Sequence, residues 1–267
     1  MGHIIAFSNQ KGGVGKTTLA FNIGKELISK NKKVLFIDND PQANLTMSFF
    51  REELPKEIVD LRGANISNSY QLYSEDINVE PFHLSEKIHI VGATKHLAEI
   101  ASKPFEVSFN FKTQMDRLKK SYDFIIIDCV PSFGILQSAS HMTADHLIVP
   151  THLSEFSTKG IDALLQTVKK TKTHLNQNLN ILGIIINEAS GSRLLVDEHF
   201  EQDLKDNYKQ LLFKIKITKS AKIKESCALG QSIREYQPSS NQAKQFKLLT
   251  DEVLQKIKIT EQELAEV

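Results

Sequence analysis

The chain has 267 residues, 40% hydrophobic and 24% charged, an ordinary globular composition with apolar material for a sizeable core. No apolar run approaches the ~20 residues of a membrane span, and two cysteines, Cys129 and Cys227, are too few for a disulfide framework, so no membrane insertion and a reducing cytoplasm are expected. The formal net charge of +1 conceals an asymmetry: residues 205–258 carry twelve Lys/Arg against five Asp/Glu, whereas residues 1–204 sum to −3 and the last nine to another −3.

The opening Met1-Gly2-His3-Ile4-Ile5-Ala6 has no basic stretch ahead of an apolar one and reads as a buried strand rather than a signal peptide. Ala6 also stands where an N-myristoylation motif has Ser or Thr. After a glycine-rich loop come a helix-forming run over 19–28 and the continuous apolar run 33–38, suited to a buried parallel strand. Residues 51–87 are polar and predict short helices and loops on the surface. A strand over 88–92, a short helix ending near Pro104 and a helix over 106–120 lead to the most hydrophobic strand, 122–128. A strand over 145–150 precedes a helix with Ile161, Leu164, Leu165 and Val168 on one face. The spacing then predicts a strand at 181–187, a helix over 197–208, a strand at 212–217, a short basic segment, and a last helix over 240–257 that turns Phe246, Leu249, Val253 and Ile257 inward. This alternation predicts an α/β fold, a mostly parallel twisted sheet with helices on both faces. Without a repeat, a low-complexity segment or a linker, residues 1–267 are expected to form one domain.

The loop reads Lys11-Gly12-Gly13-Val14-Gly15-Lys16-Thr17-Thr18. It meets the glycine-rich end of the phosphate-binding pattern G-x-x-x-x-G-K-[ST], but the pattern's first glycine falls on Gln10 and a second lysine, Lys11, opens the loop. Glycines let successive N–H groups turn toward phosphate oxygens at the positive end of the following helix. Lys16 is expected to neutralise the β- and γ-phosphates and Thr17 to give its hydroxyl to Mg²⁺. Two strand ends supply carboxylates. Asp128 closes Phe124-Ile125-Ile126-Ile127-Asp128 in the manner of a Walker B strand, on the side where open α/β sheets bind ligands, and is expected to hold Mg²⁺ through a water. Alone it would equally fit a turn cap; the loop beside it favours the metal. In Asp38-Asn39-Asp40-Pro41, Asp38 and Asp40 point the same way. Asp40 is the candidate for positioning an attacking water, and Asp38 for support near the metal; a polar turn after a strand is the plainer alternative.

With these elements the sequence resembles the ParA family of partition ATPases, within the deviant Walker A group of P-loop NTPases that includes Soj and MinD. The matching residues are 9–18, 37–44, Tyr122 to Cys129 with Pro131-Ser132, and Thr143-Ala144-Asp145 leading to Pro150 and Glu155. Gly230-Gln231-Ser232-Ile233 and Tyr236-Gln237-Pro238 match more loosely, and residues 51–87 carry none of the resemblance. It implies ATP as nucleotide and a homodimer closing face to face around two ATP molecules, with Lys11 reaching the partner's phosphates. It further implies binding of non-specific DNA by the closed dimer, and hydrolysis stimulated by a ParB-type partner. The setting implied is a cytoplasmic protein, nucleoid-associated when ATP-bound, that moves or spaces plasmids or chromosomes. Relatives in the wider group use an asparagine at the position of Asn187 on adenine.

Two departures stand out. Val130 replaces the first of two prolines that many members carry after the Walker B Asp-Cys. Gln237, Pro238, Ser239, Ser240 and Asn241 replace a segment in which relatives commonly carry DNA-contacting arginines. Lysines of the basic region are the alternative contacts: Lys219 and Lys222 near the last strand, Lys244 and Lys247 on the last helix, with Lys214, Lys216 and Lys224 close by. A solvated lysine-rich face fits them equally. Rival readings are a MinD-like membrane-positioning protein, opposed by the acidic end 259–267; a nitrogenase-reductase-like iron–sulfur protein, opposed by the cysteine spacing; and an ATP-switched regulator with negligible turnover.

Overall fold

The computed structural model of the chain describes residues 2–51, 53–63, 65–154, 157–189 and 195–265. Glu155, Glu266 and Val267, which entered the sequence reading, lie outside the described residues. Strands β1 (His3–Phe7), β2 (Val34–Asn39), β3 (Phe82–His83), β4 (Ile88–Val91), β5 (Phe124–Cys129), β6 (His146–Thr151) and β7 (Asn180–Ile186) pair in the order β3-β4-β2-β5-β1-β6-β7. Among the described residues only the β3–β4 pair is antiparallel.

The strands are apolar throughout because both faces are covered, and alternate residues feed two separate cores. Ile4, Ala6, Leu35, Ile37, Ile125 and Ile127 pack with α4 (Val107–Leu118), α5 (Ile135–Thr143) and α6 (Ser157–His174). Ile5, Phe7, Val34, Phe36, Phe124 and Ile126 face α1 (Lys16–Ser29) and α10 (Asn241–Ala265). Phe246, Leu249, Val253 and Ile257 turn inward, and so do Ile161, Leu164 and Val168, as their spacing requires. The α1 helix approaches β2 closely: a Cβ on Gly24 would lie 2.3 Å from the Phe36 ring.

Two expectations are corrected. Residues 212–217 form no regular strand. They run beside β7 with isolated parallel bridges, Ile184 to Leu212 and Ala189 to Thr218. Phe213 N donates to Ile184 O and Ile217 N to Ile186 O. Four residues therefore span what β7 covers in two, and the N–H groups of Lys214 and Ile215 turn instead to the Glu252 carboxylate. The second correction concerns residues 51–87, which are not all surface: Ile66, Leu72, Tyr73 and Val79 are core, and Ser67, Asn68 and Ser69 are buried. Burial of these polar groups is tolerated because each has a partner: Ser69 Oγ donates to the Asp38 carbonyl, Asn68 Nδ2 to the Ile58 carbonyl and Ser67 Oγ to the Glu80 carbonyl. Helices α2 (Asn44–Phe50), α5 and α8 (Ala221–Ala228) were not anticipated, nor were the short α3 (Lys56–Val59) and α9 (Ile233–Tyr236) as such; α7 (Leu195–Tyr208) was. No helix among the described residues is long and apolar enough to cross a membrane.

Candidate active site

The loop leaves the carboxyl end of β1, at the centre of the sheet. Asn9, buried, pins its start: Nδ2 donates to Pro150 O at 2.7 Å, and Oδ1 accepts from Lys11 N at 2.9 Å. Gly13 (φ 76°) and Gly15 (φ 89°) turn the chain through the left-handed region that glycine tolerates. Gly15 is also a close-approach position, where a Cβ would lie 2.1 Å from Asn187 Nδ2. Asn187, just past β7, donates through that nitrogen to Val14 O at 3.0 Å. Its side chain therefore braces the loop. The first turn of α1 has no side-chain cap, so its free N–H groups and the helix dipole remain for an anion in the loop.

Lys16 is buried and Lys11 exposed. Burial lowers the Lys16 ammonium below its usual range, with Asp128, Cys129 and Asp40 acting in the other direction. Lys11 lies at the mouth of the loop, where its Nζ donates to Ser154 Oγ at 3.1 Å. Thr17 Oγ1 donates to Asp128 Oδ2 at 2.6 Å, while Asp128 Oδ1 is buried and has no hydrogen-bond partner among the described residues. Burial, and then the neighbouring charge of Asp38, holds the Asp128 carboxyl well above the ordinary carboxylate range. Asp38 and Asp128 sit side by side on β2 and β5.

Asp38 is tied to protein as well as close to Asp128. Its Oδ2 accepts from Thr46 N at 2.8 Å and Thr46 Oγ1 at 2.7 Å, and its Oδ1 from Asp40 N at 3.2 Å. Burial pushes its pKa up to about 7. Asp38 thus anchors the first turn of α2 and the backbone of Asp40. Asp40 Oδ1 in turn accepts from Gln42 N at 2.9 Å, and its side chain lines the same cleft as Lys16 and Thr17, an opening of about 570 Å³. No cluster of three His, Cys, Asp or Glu side chains fit to hold a metal occurs among the described residues. The hard oxygens of Thr17 and Asp128, one of them orphaned, nevertheless suit Mg²⁺, which takes few protein ligands and completes its octahedron with phosphate and water.

Sequence reasoning missed the far wall of this cleft. Lys224, Cys227 and Ala228 of α8 line it together with Glu188. Asn22 of α1 holds this region: its Oδ1 accepts from Ile233 N at 2.8 Å. Cys227 and Lys224, three residues apart on a helix, were the available signal, hidden by the reading of the stretch after Ile217 as a short basic segment.

The basic lysines lie on and around α8 and at the start of α10. Lys219, Lys222, Lys244 and Lys247 are all exposed. Thr218 N and Oγ1 donate to Gln245 Oε1 at 3.0 and 3.1 Å, which ties the Lys219 stretch to the Lys244 turn of α10. Lys247 pairs with Asp251 at 3.4 Å, and Lys216 pairs with Glu201. Lys219, Lys222, Lys224 and Lys244 have no ion pair among the described residues. In the segment after Pro238, Ser240 caps α10, its Oγ accepting from Ala243 N at 3.1 Å.

The sequence profile of the AAA domain family matches residues 2–181. The Bacillus subtilis protein named sporulation initiation inhibitor protein Soj is 31% identical over 259 residues, covering 95% of this chain and 98% of its own. The chain belongs to the Soj/ParA family of P-loop proteins. A second Soj/ParA member, the chromosome-partitioning ATPase Soj of Treponema pallidum, is 30% identical over 254 residues, covering 95% and 98% of the two chains. Among solved structures, an ATP complex of an McdA variant from Cyanothece shares the fold, with a TM-score of 0.81 at 22% identity over 96% of each chain.

Proposed function

We propose that the chain is an ATP-dependent DNA-partition ATPase acting as one P-loop domain over residues 1–267. The observation that carries this reading is the division of labour between two lysines on one loop. Lys16 is buried beneath the phosphate cradle, whereas Lys11 lies exposed at its mouth beside Ser154. A lysine so placed can meet the phosphates of a nucleotide held by a second copy.

In this reading ATP lies on the N–H groups of Gly12, Gly13, Val14, Gly15, Lys16, Thr17 and Thr18. Lys16 neutralises its β- and γ-phosphates. Thr17 Oγ1 and Asp128 hold Mg²⁺, which supplies charge neutralisation on the phosphates. Asp38 supports that position by fixing Asp40, and Asp40 orients the water for in-line attack. Asn187 keeps its nitrogen on Val14 O and offers its carboxamide oxygen to the adenine amino group. ATP closes the homodimer face to face. The closed dimer binds non-specific DNA through Lys219, Lys222, Lys244 and Lys247, and a ParB-type partner stimulates hydrolysis and release. The protein is then cytoplasmic, and nucleoid-associated when ATP-bound.

Oligomeric state with and without ATP, by size exclusion with light scattering, tests the reading. Wild type should dimerise with ATP and return to monomer, Asp40→Ala should remain dimeric, and Lys11→Ala should bind ATP as a monomer. An ATP-dependent dimer surviving Lys11→Ala would sink the role given to that lysine. An ATP-switched regulator is the second reading, favoured by the name of the Bacillus subtilis relative. Turnover that stays negligible with DNA and candidate partners would select it.

A further inference from the structure

A second cavity, of about 640 Å³, lies at the opposite end of the sheet from the loop. It opens where β1 and β5 begin, between the ends of α1 and α4 and the last turns of α10. We propose that it is a binding site for an organic phosphate monoester, with the phosphate among Lys32, Lys33, Lys120 and Lys258 and the apolar body against Tyr122, Phe124 and Ile257.

Charge comes first. Four lysines line the cavity against two carboxylates, Asp123 and Glu261, a surplus of two positive charges if His3 is neutral. Burial lowers the His3 pKa below its ordinary range. Asp123 is partly committed, its Oδ2 accepting from Lys33 N at 2.7 Å, and Glu261 lies 3.3 Å from His3 Nε2. A phosphate monoester carries roughly −1.5 to −2 at neutral pH and so matches the surplus.

Neighbouring lysines at this end of the molecule behave differently. Lys30 pairs with Asp251 at 2.5 Å and Lys119 with Asp145 at 2.6 Å. Among the described residues, Lys32, Lys120 and Lys258 have no ion pair, and Lys33 Nζ lies 5.0 Å above the Tyr122 ring instead of beside a carboxylate. The lining holds no arginine, the side chain suited to forked recognition of a planar carboxylate; lysine meets phosphate as a point charge. The floor is apolar. Half-buried Leu254 and the edges of the mostly buried Tyr122, Phe124 and Ile257 contribute surface to the cavity, so a bare inorganic ion would leave that surface unused.

The site lies apart from the nucleotide cleft, so it can be probed with that cleft filled. Wild-type protein saturated with ADP and Mg²⁺ is titrated with phenyl phosphate, inorganic phosphate and benzoate, followed by amide NMR and calorimetry. Phenyl phosphate should shift residues 121–124 and 254–258 but not 12–17, and should bind at least about fivefold more tightly than either other probe, since only it satisfies both halves of the site. Lys33→Ala/Lys258→Ala should weaken it about tenfold. Should that variant fold poorly, Lys120→Ala, at an exposed position, should still weaken binding severalfold with an unchanged melting temperature. No shift up to about 10 mM probe, shifts confined to 12–17, equal affinity for inorganic phosphate or benzoate, or lysine variants that bind as wild type would each overturn the proposal. In the last case the lysines would serve only to complement the helix ends.

Discussion

Gly15→Ala probes the brace between the phosphate-binding loop and β7. At φ 89° an alanine is strained by about 1–2 kcal/mol. Its Cβ would also lie 2.1 Å from Asn187 Nδ2, so the carboxamide must swing away and release Val14 O. Losing that buried hydrogen bond adds about 1–3 kcal/mol. Asn187→Ala alone loses the same bond without the strain, at about 1–3 kcal/mol. In the double variant the bond can be lost only once, so the pair should be no less stable than Gly15→Ala by itself. The coupling energy expected from urea unfolding at neutral pH is therefore about 1–3 kcal/mol. Costs that add within about 0.5 kcal/mol would show that Asn187 does not brace the loop and that the substitution acts through φ alone.

Other substitutions separate the remaining parts. Lys16→Ala should abolish ATP binding measured by calorimetry, and Thr17→Ala should leave binding that no longer responds to Mg²⁺, because the hydroxyl assigned to the ion, 2.6 Å from Asp128, is gone. Alanine at Lys219, Lys222, Lys244 and Lys247 together should weaken DNA retention by the Asp40→Ala dimer and flatten its salt dependence; retention indifferent to salt refutes the lysine contact. Acid should destabilise the fold through His141, whose Nε2 meets Ser8 Oγ at 2.9 Å and whose pKa burial lowers to about 4. The unfolded chain protonates first as pH falls below about 6.5, so stability present above that pH drains away toward pH 4, by about 3 kcal/mol for this group. His141→Gln should flatten the slope of unfolding free energy between those pH values relative to wild type; His89 and His146, lowered likewise to about 4, add to the slope, and the raised carboxyls of Asp38 and Asp128 oppose it.

The parts legible in the sequence were those whose partners lie close along the chain or at a strand end. The glycine loop, Thr17 and Asp128 belong to contiguous motifs, and the apolar strands announce a sheet covered on both faces. The hydroxyl that secures Asp38 belongs to Thr46, eight residues on, and polarity alone could not single it out. Residues 65–74 look like surface because composition counts Ser and Asn as wet; burial depends on whether a carbonyl is waiting for each, as Asp38 O is for Ser69. Alternation in Lys214-Ile215-Lys216-Ile217 signals a strand, and the segment does lie along β7. A single carboxylate, Glu252, takes the N–H groups that would have built the ladder. That exchange comes from α10, some forty residues later, and no local pattern carries it.

The α8 helix joins the two halves of the proposed cycle. Lys224 and Cys227 face the nucleotide cleft, while Lys222, on the same eight-residue helix, belongs to the exposed basic group. From α1, the helix that begins at Lys16, Asn22 Nδ2 reaches Cys227 Sγ of α8 at 3.9 Å, and further contacts hold α9, which follows it. Asn22 Oδ1 takes the Ile233 N–H, and buried Glu26 pairs with Arg234 at 3.0 Å. Lys25 pairs with Glu235 at 2.9 Å, and the Ser232–Glu235 capping box starts α9. In the proposed cycle nucleotide entering the loop would act at the start of α1, and the contacts from Asn22, Lys25 and Glu26 lie two to three turns along the same element. A helix this short moves as one piece, so a shift of Lys224 toward bound nucleotide carries Lys222 with it. In the proposed cycle the basic surface would then be linked to ATP through α8, whose Lys224 and Cys227 line the cleft.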